Sequence, residues 1–397
     1  MRIVCVGGGP AGLYCSLLLK LWDPASDVVV LERNKEGVTH GWGVTMEQEF
    51  LARLAALDAE SAEEIEWRSV RWRDQVVSFG GERLVSQESG AAHAVSRQRC
   101  LDIFAARARQ LGVSIRYEHD VRDTSALRAA DLIVAADGAN SQLRAGHREF
   151  GTTVTQGRNK HMWLGTGKLF NSFGFFFEPT AAGWIWAYAY QHEPRASTFI
   201  VECEPQTWSG LGFDNCSATR ALGRLEEIFS DHLDGHRLWS EFADGADAHW
   251  LYFRTITNRR WHHGNVVLVG DSARTAHFSG GLGTTRAIGD AMALVTQLGR
   301  MGHRAPGDNT GLTATLAAYQ RQRQAESRRD AARARRSAQW FENVPRLAGL
   351  TPHQFAAALH ARRSPLTPML PPRLSGLVHD AGRLLGLAGP PRSLAGR

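Results

Sequence analysis

Lysine is nearly missing from this chain: of 46 basic residues, only Lys20, Lys35, Lys160 and Lys168 are lysines. The other positive charges are arginines scattered along the length, not the clustered basic footprint of a nucleic-acid binder. Cysteine is scarce as well. Cys5, Cys15, Cys100, Cys203 and Cys216 form no C-x-x-C pair and no zinc spacing, which excludes a disulfide-stapled scaffold and a zinc module. Free buried thiols in a reducing compartment are the expectation. No run reaches the roughly 18 uncharged apolar residues of a membrane span. Met1 leads directly into Ile3-Val4-Cys5-Val6 and a glycine cluster, so no signal peptide is expected and a cytoplasmic protein is.

What is present is ordinary globular material: 397 residues, 43% hydrophobic and 22% charged, with a net charge of +6. At about 150 residues per domain, that length predicts two or three domains. The first 32 residues read as a βαβ unit, with strands at Ile3–Val6 and Val28–Leu31 around a helix over Gly12–Leu21. A helix follows near Glu47–Leu57. From Glu66 to Ser96 the pattern alternates, with Val70, Trp72, Val76, Val77 and Phe79 among polar residues. A helix over Arg97–Leu111 and strands at Val113–Tyr117 and Asp131–Ala135 come next. The stretch 151–254 is aromatic and β-rich, with one helix near Arg220–Phe229. Val266–Val269 restores a buried strand, and beyond Thr313 the chain reads helical, with a loose Pro- and Gly-bearing tail after Pro365.

The predicted fold class is therefore α/β, a Rossmann-like domain interrupted by a mostly antiparallel β domain. Residues 1–65, 97–150 and 255–312 form the first, 66–96 and 151–254 the second, and 313–397 a C-terminal helical region. Three glycine-bearing strand ends carry the chemistry. Gly7-Gly8-Gly9-Pro10-Ala11-Gly12 lies between strand and helix, the pattern in which Gly7 turns, Gly9 admits a pyrophosphate and Gly12 allows close packing. The helix N-terminus offers free N–H groups to phosphate. Glu32, followed by Arg33, closes the second strand where a carboxylate accepts from ribose hydroxyls. Asp137-Gly138-Ala139-Asn140-Ser141 follows another strand, and Gly270-Asp271 a third, leading to Gly280, Gly281, Leu282, Gly283 and Thr284 at a helix start. All three ends would meet at the carboxyl edge of one sheet, where such sheets bind ligands. Asp271 can accept from a ribityl hydroxyl, and the Gly281–Thr284 N–H groups can face the pyrimidine edge of a flavin, where a helix N-terminus stabilises negative charge.

The ordered trio of Gly7-x-Gly9-x-x-Gly12, Asp137-Gly-x-x-Ser141-x-x-Arg144 and Gly270-Asp271 resembles the single-component FAD-dependent aromatic hydroxylases of the para-hydroxybenzoate hydroxylase type. Arg97 matches that family's flavin-contacting arginine. Gly41-Trp42-Gly43-Val44, Trp163–Thr166, His277-Phe278-Ser279, Gly283-Thr284 and Trp340–Val344 are similar to salicylyl-CoA and anthraniloyl-CoA hydroxylases, and to the tryptophan-type and indole hydroxylases of violacein biosynthesis. Arg274, Phe278 and Thr285 depart from the family's usual His, Pro and Asn; the last two departures fit the narrower subgroup. The resemblance implies bound FAD, transient NADPH or NADH, and O₂ activated as a flavin C4a-hydroperoxide that a small aromatic substrate attacks. It implies no membrane or nucleic-acid partner, in a monomer or homodimer.

The substrate should sit between the β domain and the flavin. Trp42 and the alternating Phe175, Phe177, Trp184, Trp186 and Tyr188 are its expected apolar wall, although plain sheet core is the commoner role for any one of the five strand residues. His40, His161, His277 and Tyr188 are the acid–base candidates; His277, in the loop after Asp271, is singled out, with a structural role equally open. The Trp-rich middle favours an indole-bearing or related biosynthetic metabolite. An aryl-CoA is the alternative, with Arg158, Lys160, Lys168 or the Arg321–Arg336 helix for its phosphates. Trp184-Ile-Trp186 resembles part of the W-x-W-x-I-P of flavin-dependent halogenases, but Tyr188-Ala189 stands in place of Ile-Pro and no lysine suits that chemistry. A non-catalytic flavoprotein leaves the glycine loop and aromatic strands without a purpose.

Overall fold

The computed structural model describes residues 1–123, 125–240, 249–281, 283–301, 309–362 and 392–393. Its strands are β1 (Arg2–Val6), β2 (Asp27–Leu31), β3 (Gly43–Glu47), β4 (Val70–Phe79), β5 (Glu82–Ser96), β6 (Ser114–Arg116), β7 (Leu132–Ala135), β8 (Thr152–Thr166), β9 (Phe173–Thr180), β10 (Gly183–Glu193), β11 (Ala196–Cys203), β12 (Leu238–Trp239), β13 (Leu251–Asn258), β14 (His262–His263), β15 (Val266–Leu268) and β16 (Arg392–Ser393). The helices are α1 (Pro10–Trp22), α2 (Gln48–Ala55), α3 (Ala59–Arg68), α4 (Arg97–Gln110), α5 (Gln142–Ala145), α6 (Pro205–Gly210), α7 (Ala218–Ile228), α8 (Ser230–Leu233), α9 (Gly283–Met301), α10 (Asn309–Phe341), α11 (Val344–Leu347) and α12 (Pro352–Ala361).

The first sheet has the order β14-β15-β7-β1-β2-β6 and is parallel apart from the β14–β15 hairpin. Its central strands β1, β7 and β15 are buried on both faces, which is why they read as continuous apolar runs. α1 is buried from Pro10 to Leu19 because it lies between this sheet, α4 and α9. The second sheet runs β12-β8-β11-β10-β9-β4-β5-β16, with β13 on β8 and β3 on β5. Its pairs are antiparallel except β4–β9.

The boundaries differ from the sequence expectation in three places. Glu66–Arg68 completes α3 instead of starting the alternating stretch. β3, from the segment assigned to the first domain, pairs with Ala92–Ser96 in the second sheet. β13 continues that sheet to Asn258. Each is a long-range pairing or packing effect that local alternation does not encode. None of the described helices is long and apolar enough to cross a membrane.

Alternation along β9 and β10 divides the second sheet's core. Phe176, Ile185, Ala187 and Ala189 face one cluster with Phe199 and Phe229. Phe175, Phe177, Trp186 and Tyr188 face the other, covered by Phe341 of α10 and Phe355 of α12. Into that aromatic layer the sheet also sends Glu202, which is 1% exposed. Its Oε2 accepts the Tyr188 hydroxyl at 2.6 Å and Trp186 Nε1–H at 3.3 Å, and its Oε1 accepts the Asn159 amide at 2.7 Å. Burial outweighs these donors and pushes the carboxyl up to about 7.

The folded state therefore holds this proton more tightly than the unfolded chain. The stability it contributes is complete below the ordinary Glu range and is lost as pH rises through about 7. Glu202→Gln should remove that loss. Thermal melts at pH 5 and pH 8 should differ less in the variant, by an amount on the order of 3 kcal/mol of stability; an unchanged pH dependence would refute the buried-proton account.

Candidate flavin site and the cavity beside it

The three glycine-bearing strand ends do come together, because β15, β7 and β1 are neighbours in register. Gly7 has φ +108°, and a Cβ there would stand 2.3 Å from the Ala136 carbonyl oxygen, at the end of β7. A Cβ on Gly12 would lie 1.9 Å from the Gly7 oxygen, so only glycine lets α1 approach its own turn this closely. Gly9 is different: an added Cβ would meet nothing within 4 Å. Its constraint comes from open space in front of the helix N-terminus, where the first N–H groups have no helical partner. Pro10 takes the first helical position, which needs no N–H. Ala11 packs towards Gly270, whose φ is +69° and whose added Cβ would come 3.0 Å from the Ala11 methyl.

In front of these groups lies a cavity of about 430 Å³, bordered by Gly8, Glu32, Arg33, Arg97, Asp137 and Gly138. Glu32 is held in place by Gly8 N–H at 2.6 Å and Asn34 N–H at 2.8 Å. Arg33 is exposed at the rim. Arg97 Nε donates to Thr39 Oγ1 at 3.0 Å, and its backbone N–H to the Trp42 carbonyl at 2.7 Å. Asp137 accepts Leu143 N–H at 3.3 Å through Oδ2, while its buried Oδ1 has no partner. Burial raises its carboxyl above the usual range. Asp271 is raised for the same reason, crowded by surrounding protein although the residue keeps exposed surface. An open Gly9, an unpartnered carboxylate oxygen and a helix N-terminus form a donor and acceptor set suited to a dinucleotide's phosphates and hydroxyls.

The Gly270–Asp271 turn rests on a device that the sequence reading missed. Asp290, fully buried in α9, accepts Gly270 N–H at 3.0 Å, Arg274 Nη1 at 2.8 Å and Arg323 Nε at 2.6 Å. Arg274 also lies over the Trp261 ring at 4.9 Å. The residue that departs from the family's histidine is thus part of a buried ion cluster. Thr45 Oγ1 donates to the Gly281 carbonyl at 3.1 Å, tying β3 to the loop; Gly283 opens α9, with Thr284 in its first turn. Leu282 lies outside the described residues. Trp42 packs where Gly165 leaves room, and the adjoining Gly43 is fixed by Tyr190 O–H at 2.8 Å and Thr198 Oγ1 at 2.9 Å.

The expected substrate residues are split by the fold. Phe175, Phe177 and Trp186 lie in the aromatic layer beneath α10 and α12, each 1% exposed or less. Trp184 stacks on Phe79 at 5.0 Å. Tyr188 reaches the loop, its ring 5.5 Å from Phe278. Phe278 also meets His161 at 4.8 Å, His277 at 4.3 Å and Phe253 at 6.2 Å. His40 is exposed beside the cavity at Glu32, away from that group. Burial lowers His161 to about 4 and, helped by His161, His277 to about 3, so both rings are neutral. Ser279 N–H donates to His277 Nδ1 at 3.3 Å, which leaves the ring proton on Nε2. Tyr190, Thr198, Thr45 and Asp290 carry no local motif; only their contacts reveal them.

Two variants test this geometry. Gly9→Val fills the open space before α1 and should abolish retention of FAD, read as the flavin-to-protein absorbance ratio; full occupancy would refute the phosphate assignment. Asp290→Ala leaves Arg274 without its carboxylate and Arg323 with Glu326 alone, and should destabilise the fold by about 3–5 kcal/mol in chemical denaturation, whereas a loss under about 1 kcal/mol would mark the cluster as dispensable.

Residues 1–334 match the family described as "FAD binding domain". Salicyloyl-CoA 5-hydroxylase of Streptomyces sp is 35% identical, over 92% of this chain and 70% of that protein. Protodeoxyviolaceinate monooxygenase of Chromobacterium violaceum is 30% identical over 93% and 96%. The 3-hydroxy-4-methyl-anthranilyl-[aryl-carrier protein] 5-monooxygenase of Streptosporangium sibiricum is 33% identical over 75% and 79%. Among solved structures, 2-methyl-3-hydroxypyridine-5-carboxylic acid oxygenase superposes with a TM-score of 0.64 at 18% identity, covering 94% of this chain and 95% of that one, a likeness of fold. With its three glycine-bearing strand ends gathered on one sheet edge, the chain belongs to the FAD binding domain family and is an FAD-dependent aromatic monooxygenase.

Proposed function

We propose that this enzyme hydroxylates an aromatic ring seated against Phe278 and His277, where the flavin-binding loop meets the second sheet. The observation that carries the reading is one juxtaposition. The segment from His277 to Thr284 leads into the N-terminus of α9, and the same segment supplies the rings that face His161, Tyr188 and Phe253. FAD, reduced by transient NADPH or NADH, supplies the redox and oxygen-activating chemistry when bound. Gly8, Gly9 and the α1 N-terminus would hold its pyrophosphate, Glu32 and Arg33 its adenosine side, and Asp137 and Asp271 its hydroxyls. Arg97 and the Gly281–Thr284 backbone would meet the ring system.

The chain's own residues then position a ring and keep water away. Phe253, Phe278 and Tyr188 give an apolar surface of the kind that holds a flat substrate. His277, neutral and protonated on Nε2, acts as a hydrogen-bond donor to an oxygen on the ring or its acyl group; with its pKa lowered to about 3 it is a poor general base.

Two of the three relatives are named for acyl groups carried on coenzyme A or on an aryl-carrier protein. The substrate class we carry over from them is an aryl thioester. The indole-bearing metabolite has separate support in the likeness to protodeoxyviolaceinate monooxygenase along 96% of its length. Labelled O₂, NADPH and the FAD-loaded protein decide between them when supplied with pools of aryl-CoA thioesters and of free indoles and phenols. Label in a thioester product supports the first class and label in a free indole product the second. NADPH consumed to peroxide with every pool would sink both substrate classes. His277→Phe should lower kcat/KM about tenfold with FAD retention unchanged. The parent's rate should show no His277 titration between about pH 5 and pH 7; an inflection there that the variant removes would overturn the neutral-donor role.

A further inference from the structure

A second cavity, about 590 Å³, lies beside His277 and away from the Gly7–Gly12 turn. One wall is a single face of α10 on which Gln324, Arg328, Ala331, Arg335, Ala338 and Glu342 follow one another at helical spacing. From first to last that face is roughly 27 Å long at 1.5 Å per residue. The opposite wall is the β13 face carrying Phe253, Thr255 and Thr257, residues that alternate towards one side of the strand. The alanines keep the helical wall low, so a groove of mixed apolar and polar lining remains along it, several ring widths long.

Its charge is one-sided. Arg259, Arg328 and Arg335 are exposed along it, and no described carboxylate pairs with any of them. Glu342 is the one acidic residue in the lining, and its Oε1 already accepts the Arg158 backbone N–H at 2.8 Å. Arg274 is committed to Asp290. The other basic residues considered for phosphate are also engaged. Arg158 pairs with Glu204 at 2.8 Å and Lys168 with Asp234 at 3.1 Å, while Lys160 is held between the Trp208 and Tyr252 rings at 4.3 and 4.0 Å. A free aromatic acid would need neither this length nor three unpaired guanidinium groups. A thioester arm uses both, because its amides can meet Thr255, Thr257, Gln324 and Gln339 along the groove and its phosphate accepts the planar fork of arginine.

We infer that this cavity holds the phosphopantetheine arm of an aryl thioester, with Arg328, Arg335 and Arg259 receiving the phosphate and the acyl ring reaching Phe253 and His277. The inference rests on the hydroxylase reading above and names the substrate class of the same site.

Calorimetric titration of the FAD-loaded protein with coenzyme A, 4′-phosphopantetheine and pantetheine tests the arm without turnover. The first two should bind at least tenfold more tightly than pantetheine, and the preference should weaken as salt rises. The double variant Arg328→Gln, Arg335→Gln should abolish the preference while retaining FAD, since both side chains are exposed and distant in sequence from the flavin motifs. Coenzyme A bound more tightly than 4′-phosphopantetheine identifies the free cofactor as the arm's source; equal affinities identify a carrier protein. Pantetheine bound as tightly as coenzyme A, or a double variant with the parent's affinity, overturns the site. A protein that oxygenates a free aromatic while ignoring all three probes keeps the hydroxylase reading and overturns this one. Arginine-dependent binding with no oxygenation of any ring supports the arm site and overturns the hydroxylase reading instead.

Discussion

The approach of α1 to the end of β1 is the contact on which the rest of this molecule depends. With a Cβ on Gly12 only 1.9 Å from the Gly7 oxygen, any other residue would push the helix off its turn. The α1 N-terminus would then move away from the sheet edge where its N–H groups are useful. Gly7 meets Ala136 at the end of β7, and Ala11 meets Gly270 after β15, so the same contact sets the spacing of all three loops. The cavity in front of the α1 N-terminus is the space that this packing leaves over.

A second layer of constraint comes from buried charge. Asp290 joins the Gly270 turn to Arg274 and Arg323, and so couples the loop after β15 to both α9 and α10. Such a cluster is weak evidence for net stability, since desolvation offsets attraction, but it specifies geometry because each member loses heavily if misplaced. It also accounts for an arginine at 274: within this cluster the position supports the loop from behind, paired to Asp290 and stacked on Trp261. Glu202 plays the contrasting part. Among the described residues it has no cationic partner within hydrogen-bond reach, and it keeps its place in an aromatic layer by holding a proton.

The two cavities differ in what lines them. One is framed by backbone N–H groups and carboxylates, the other by arginines and small side chains on a single helix face. His277 and Phe278 lie in the loop that leads to the start of α9, and His277 borders the arginine-bearing cavity. Their neutrality and apolar company suit a place from which water must be kept away.

Local sequence was enough for whatever depends on local rules. Strand, glycine turn, helix and strand are written consecutively in residues 1–32. The turns at Asp137 and Gly270 follow buried strands as plainly, and the structure places all three where the pattern implied. The alternation of Phe175, Phe177, Trp186 and Tyr188 was also legible. Which face they share is a matter of period; what covers that face is a matter of topology, and α10 and α12 cover it from more than 140 residues away in the chain. The same holds for the support of the site. Asp290, Thr45, Tyr190 and Thr198 act through contacts whose partners lie far off in sequence, with no spacing to betray them. The arginines of α10 read as a solvated face because a helix period does not say what stands opposite. Only because β13 stands across from that face do Arg328 and Arg335 border a cavity.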